Sequence, residues 1–262
     1  MSARGRGGSP RGFFADCTVR LDAITNYFNK NKILPLNVIS NHQWNWYKKN
    51  KNDDVTFDYF KNYNNNINIS FHSKIHFNVN SQYSNYSKFN FSLIKPFINK
   101  YFSPSINIEN IKKTIENKYN INYDNICVLF YRGNDKNRET KICGYNEYIT
   151  KANEIHKKNP NIKFLIQSDE TEFIEEILKK YPNNSFYFKD EIRHIKKCDD
   201  TVDIVMKEMN EEFSKKFLAI TLIMSKCKYI VCGSGNCSQW IIFYRGNVVN
   251  VYQQLKNTWI IH

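Results

Sequence analysis

The sequence contains no Cys-x-x-Cys pair and no histidine at zinc-finger distance from a cysteine, so the usual zinc-module signatures are absent. Its seven cysteines (Cys17, Cys127, Cys143, Cys198, Cys227, Cys232 and Cys237) are odd in number and scattered, several inside apolar runs. That pattern argues against a disulfide framework and for a reducing compartment. No apolar run approaches a bilayer span, stretches such as Phe217–Met224 being far too short. No signal peptide is present either, and the expectation is a soluble cytoplasmic protein unless a native N-terminus has been trimmed away. Walker A and Gly-x-Gly-x-x-Gly patterns are also missing, which removes support for those nucleotide-binding classes.

What is present is a 262-residue chain, long enough for one large domain or two small ones with a real core. Its 41% apolar and 15% aromatic content is ordinary for a globular protein. The frequent Asn, Lys, Ile and Tyr carry the stamp of an AT-rich gene rather than of chemistry. A net charge of +13 favours an anionic partner: a nucleotide, a nucleic acid or an anionic surface. The lysines are spread along the chain as on a solvated surface. Arg4, Arg6 and Arg11 sit in a Gly/Ser/Pro-containing tail, residues 1–12, read as disordered, with an RG-type nucleic-acid arm as the alternative.

After the tail, Leu21, Ile24, Tyr27 and Phe28 form one helical face, which Asp16 or Thr18 can cap, and Gly12 just before it is a candidate ligand-facing turn. Ile33–Ile39 reads as a short strand interrupted by Pro35. The aromatic cluster His42–Tyr47 suits either a sugar face or a structural core. Val55–Tyr63 predicts a helix, and the alternation over Ile67–Val79 predicts a half-buried strand or hairpin. Helices are expected over Ile94–Phe102 and Ile106–Tyr119. From Ile126 onward, strands (126–131, 162–167, 185–188, 229–232, 248–251) alternate with helices (145–158, 171–181, 211–225, 239–244). The fold class is therefore α/β: a Rossmann-like, doubly wound parallel sheet over 121–262 behind a smaller N-terminal α/β domain over 13–120.

In such a sheet the carboxyl ends of the strands share one edge, where ligands bind. Three ends carry polar residues: Arg132 to Glu139, Gln167 to Glu170, and Gly233 to Ser238 at a helix start. Glycines there let backbone N–H groups approach an anion, and the helix adds a positive dipole end. A phosphate held between this turn and Arg132 satisfies both, since a guanidinium fork matches phosphate oxygens. Asp169 can accept from a base or ribose, or simply cap the following helix. Each segment also has a plainer reading as a solvated or capping turn.

Taken in order, Tyr131-Arg-Gly-Asn-Asp-Lys136 with Glu139, a Tyr-bearing helix, a strand ending Ser168-Asp169, Met224-Ser-Lys-Cys-Lys-Tyr229 and Gly233-Ser-Gly-Asn-Cys-Ser238 resemble a known pattern. It is the donor-binding half of GDP-fucose-dependent fucosyltransferases: the core α1,6 and nodulation enzymes, and more remotely the protein O-fucosyltransferases. The resemblance covers roughly 126–252, and Gly12-Phe13-Phe14 is similar to the opening of their acceptor-side domain. It implies a GT-B architecture and inverting transfer from a GDP-sugar, with no metal and no further cofactor, to a glycan or protein acceptor. By position it implies that Arg132 holds the donor diphosphate, followed by Asp135 and Lys136, with Glu139 as general base. Tyr148 and Asp169 would lie near the donor, and Ser234, Gly235, Asn236 and Ser238 on the phosphate side. The chain departs from the pattern in having Tyr131 for a histidine, Gly133 for a frequent second arginine, Glu139 one residue closer to Lys136, and Ile220/Thr221 where an aspartate is common. These departures bear on guanine recognition. The alternative functions are a basic nucleic-acid-binding protein and an inactive sugar-nucleotide-binding module on the same fold.

Overall fold

Apolar side chains at helical spacing organise the N-terminal half. Helix α1 (Phe13–Asn31) buries Phe13, Phe14, Leu21, Ile24 and Phe28, and begins ahead of Asp16 and Thr18, which lie inside it rather than capping it. It ends where Lys32 turns left-handed and donates its N–H to the Phe28 carbonyl. The computed structural model describes residues 2–4 (backbone only), 10–63, 69 and 73–262. Strand β1 (Ser2–Arg4) pairs in parallel with β2 (Asn37–Ile39), so part of the stretch expected as a disordered tail is paired; residues 1 and 5–9 of it lie outside the described set. Helices α2 (Thr56–Tyr59), α3 (Phe91–Tyr101) and α4 (Ile106–Lys118) complete this half, α2 being much shorter than predicted.

The alternation of Ile67–Val79 does not produce a strand where it can be followed. Residues 73–78 are irregular and Val79–Tyr83 is a 3-10 turn, while 67, 68 and 70–72 lie outside the described residues. The alternation instead seats Ile75 and Phe77 in the core between exposed neighbours. Asn29 clasps the Ile75 backbone from α1, donating to its carbonyl (2.9 Å) and accepting its N–H (2.8 Å), so a side chain takes the place of a strand partner.

The C-terminal half alternates strand and helix as the sequence predicts: β3 (Ile126–Tyr131), α5 (Tyr145–Lys158), β4 (Lys163–Ser168), α6 (Thr171–Lys180) and β5 (Ser185–Phe186). After α7 (Val202–Val205) and α8 (Asn210–Lys226) come β6 (Tyr229–Gly233), α9 (Asn236–Arg245), β7 (Val251–Leu255) and β8 (Thr258–Ile261). The strand order is β5-β4-β3-β6-β7-β8, parallel throughout except that β8 returns antiparallel to β7. Strand β7 starts at Val251 rather than Val248, because Gly246 adopts φ 75 to end α9 and Arg245 binds the carbonyls of Cys227 and Val249, holding 246–250 as a loop. The α/β class and the mostly parallel, helix-flanked sheet of the prediction are present.

The chain runs outward from β3 through β4 to β5, then crosses back to add β6 and β7 on the other side of β3. That reversal opens a crevice at the carboxyl ends of β3 and β6. Helix α4 packs on α8, and α1 and α3 pack on α9, so the N-terminal helices cover the helices of the sheet. The buried cluster runs without a break from Phe13 to Tyr252, across residue 120. Among the described residues, no helix is long and apolar enough to cross a membrane.

Candidate functional site

The strand β3 is buried over all six residues, and its carboxyl end delivers Arg132 to the crevice. Buried Asn134 turns the chain there in the left-handed conformation (φ 44), which asparagine tolerates better than most residues. Its N–H donates to Glu170 (3.0 Å), its amide to the Asp169 carbonyl (2.9 Å), and its side-chain oxygen accepts from Cys198 N–H (3.0 Å). Glu170, fully buried, also accepts from the Tyr145 hydroxyl. A Cβ on Gly133 would stand 2.2 Å from the Glu170 carboxyl carbon. The glycine at this departure from the fucosyltransferase pattern therefore has a local cause: Glu170 occupies the space a side chain would need.

Arg132 Nε donates to Asp169 Oδ2 (2.9 Å) and Nη2 to Asp135 Oδ1 (3.1 Å); Nη1 has no partner among the described residues. Burial pulls the guanidinium pKa down, but Asp169 and Asp135 more than offset it and the net shift is upward. Burial raises the Asp135 pKa against the pull of Arg132. Asp169 accepts a second bond from Gly133 N–H (2.9 Å), so its carboxylate is spent on orienting the arginine. It does not cap α6, whose N-cap is Glu170 without a side-chain bond.

The opposite wall is the Gly233–Ser238 turn. Gly235 precedes α9 and offers no side-chain cap, so the first amides of the helix lack the usual acceptor. A Cβ on Gly235 would lie 3.3 Å from Lys136 Cε and Nζ, so the glycine lets the ammonium approach a helix end that is itself positive. An anion between the groups stabilises such a convergence, and Glu139 supplies one on the Lys136 side. Ser234 Oγ donates to the Gln254 carbonyl and accepts from Gln253, both at 2.8 Å; Asn236 Oδ1 accepts from Thr18 (2.8 Å); Ser238 is buried. These side chains fix the turn, and the backbone is what they present. Tyr148 is buried beneath Gly233 with its hydroxyl on the Phe130 carbonyl (3.0 Å), a floor to the site.

Lys136, 7% exposed, donates to Glu139 Oε2 (2.5 Å) and to the Tyr83 hydroxyl (3.1 Å). Burial lowers its pKa, opposed by Glu139. Burial pushes Glu139 up, but Lys136 and the Tyr83 hydroxyl outweigh it and hold the carboxyl below its usual range.

A cavity of about 370 Å³ joins these parts, lined by Arg132, Lys136, Glu139, Gly235, Arg193 and the start of α1. The α1 N-cap, Gly12, likewise has no side-chain bond to give, and it lines the same cavity. The starts of α9 and α1 thus border one cavity, the first N–H of α1 being taken by the Tyr47 hydroxyl. The aromatic cluster lies partly here: Trp46 and Tyr47 line the cavity while Trp44 is fully buried against Tyr59 and Phe60. Tyr47 accepts from Phe13 N–H (2.9 Å) and donates to Asp203 (2.9 Å), which in turn pairs with Arg193 (2.7 Å). The sequence gives no signal for Arg193, Asp203 or Tyr83, whose neighbours come from distant segments.

Asp16, in the first turn of α1, accepts from Trp44 N–H (2.6 Å) and faces Arg11 at 3.6 Å. Burial pushes its pKa from 3.8 up to about 6, against the pull of the Trp44 N–H and Arg11. The native state therefore holds this proton more tightly than the unfolded chain, and the resulting stability is lost as pH rises from 3.8 to about 6. Asp16→Asn keeps the acceptor and removes the charge. Its stability relative to wild type should rise across that window by on the order of 3 kcal/mol. Denaturant midpoints from pH 4 to 7 test this; parallel curves for the two proteins would refute it.

No family model matches the sequence, and no curated protein matches it. Among solved structures, NodZ alpha-1,6-fucosyltransferase soaked with GDP-fucose is similar over 66% of this chain and 54% of that one, at TM-score 0.42 and 9% identity. Fucosyltransferase NodZ from Bradyrhizobium is similar over 66% and 52%, at TM-score 0.41 and 9% identity. This chain thus spans about half the length of either protein. Overlaps of this extent carry no argument about what the chain does.

Proposed function

We propose that this cavity binds a nucleoside-diphosphate sugar, a GDP-sugar and in particular GDP-fucose, on a GT-B-like fold, and that the protein transfers the sugar to an acceptor hydroxyl with inversion. The observation that carries the reading is the pairing of opposed groups at the switch point. Arg132, aimed by Asp169 and Asp135 with Nη1 unspent among the described residues, lines one cavity with an uncapped α9 start against which Lys136 is pressed. Those groups supply the positive charge that a leaving diphosphate needs, without calling on a metal. Glu139, held ionised by Lys136 and Tyr83, is the group of the right type beside them to take the acceptor proton.

Thermal stabilisation by GDP, UDP and GDP-fucose tests the reading, followed by assay of transfer and of donor hydrolysis. GDP and GDP-fucose should stabilise the protein and UDP should not. Folded protein that no guanine nucleotide stabilises would end this proposal, and binding without turnover would favour the inactive module.

A further inference from the structure

Glu139, its side chain 48% exposed, follows the 3-10 turn Asn134–Arg138 after β3, and a carboxylate so placed has no fixed direction of its own. Its direction comes from elsewhere. The Tyr83 hydroxyl, from the segment before α3, donates to Glu139 Oε2 (2.7 Å) and accepts from Lys136 Nζ (3.1 Å), while Lys136 donates to the same Oε2 (2.5 Å). The three groups close a triangle, and the Lys136 ammonium lies 5.1 Å from the Tyr83 ring centre. Both bonds fall on one oxygen; Oε1 accepts none among the described residues.

The segment carrying Tyr83 is fastened on both sides. Asn78 caps its start, accepting from Asn80 N–H (2.8 Å). Beyond it, Gln253 on β7 donates to the Ser84 carbonyl (2.8 Å) and accepts from Tyr86 N–H (3.0 Å), and the buried Tyr86 hydroxyl meets Gly235 N–H at 3.3 Å. Tyr83 is therefore held against the C-terminal half by the same strand and turn that form the anion wall.

We infer that Tyr83 is a positioning residue for the base: its hydroxyl, with Lys136, pins Glu139 through Oε2 and leaves Oε1 to receive the acceptor proton. This rests on the glycosyl-transfer reading. In the step, the acceptor O–H proton passes to Oε1 as the acceptor oxygen bonds the anomeric carbon. The anomeric carbon–phosphate oxygen bond breaks, its electron pair leaving with the diphosphate. Tyr83 keeps its own proton throughout, and its hydroxyl pKa is raised by burial and by Glu139. The charged and titratable groups that act on Glu139 are Lys136, Tyr83, Arg132 and Asp135.

Tyr83→Phe keeps the ring over Lys136 and removes the hydroxyl. The expected result is a kcat about tenfold lower, the worth of one hydrogen bond to a charged group, with donor KM within about twofold. The acid limb of kcat/KM should move to higher pH, because Glu139 loses a donor that favours its ionised form. A carboxyl ¹³C titration of Glu139, assigned by its loss in Glu139→Gln, reads the same shift without any turnover. An unchanged midpoint in Tyr83→Phe overturns the inference. An upward midpoint in a protein that transfers no sugar supports the Tyr83–Glu139 coupling and overturns the transfer reading alone.

Discussion

Arg132→Ala should abolish use of the donor while the chain stays folded. The arginine is asked to stabilise charge on a leaving diphosphate, and loss of one such group costs about a hundredfold to a thousandfold in rate. The same variant should show no stabilisation by GDP at concentrations that shift the wild type. Folding is expected to survive, since Asp169 keeps the Gly133 N–H after the guanidinium is gone. Asp169 is a buried carboxylate that loses its cation, a cost of about 3–5 kcal/mol, so the melting temperature should fall by roughly ten degrees without loss of secondary structure. Arg132→Lys should lie nearer to alanine than to wild type. An ammonium cannot hold Asp135 and Asp169 in a fork and present a further donor in a fixed direction. Activity measured beside circular dichroism decides the matter: near-normal transfer by folded Arg132→Ala would remove the clamp assignment.

The second large effect is expected at Glu139. Glu139→Gln retains an oxygen for Lys136 and Tyr83 but loses the negative charge that pairs with Lys136, and with it the ability to take a proton. Turnover should fall by about a hundredfold to ten-thousandfold, the usual range for a general base, with donor affinity within about twofold. In the wild type, Lys136 and Tyr83 hold this carboxyl below its usual range despite burial. A base must be ionised to act, so activity should fall only as pH drops through that lowered value and should stay level through the ordinary glutamate range. Pre-steady-state turnover and titration of bound GDP separate the two effects. A glutamine variant that turns over normally would make Glu139 a surface charge.

Much of the C-terminal half was legible because its signals are local. Apolar runs of strand length, a Lys-Lys-Asn-Pro stop after α5 and glycines before α9 each act within a few residues, and the sheet follows from their alternation. Arg132, Asp135, Lys136, Glu139 and the Gly233–Ser238 turn do line one cavity, because parallel strands put their ends on one edge. Their chemical roles are a separate matter, and Tyr148 and Asp169 make bonds to the protein itself. What local pattern could not carry is the partner from afar. Ile75 and Phe77 alternate like a strand but are fixed by Asn29 from α1. Strand β8 exists because Lys256, at φ 56, allows the tight turn after β7, a conformation that lysine does not announce. Tyr83 lies 53 positions before the lysine it touches and sits in a Ser/Asn-rich stretch that reads as a plain loop.

The unbroken core across residue 120 also bears on how the chain comes apart. Ile220, Ile223, Trp240 and Ile241 are fully buried, on helices α8 and α9 that α1, α3 and α4 cover. A fragment starting at residue 121 would present those faces to water, and one ending at 120 would lose the surface that its helices were built to meet. The two halves should then behave as one cooperative unit, melting in a single transition and protecting their amides from exchange together, and two resolved calorimetric transitions would refute this. The boundary near 120 marks a change of architecture along the chain across which the buried core continues.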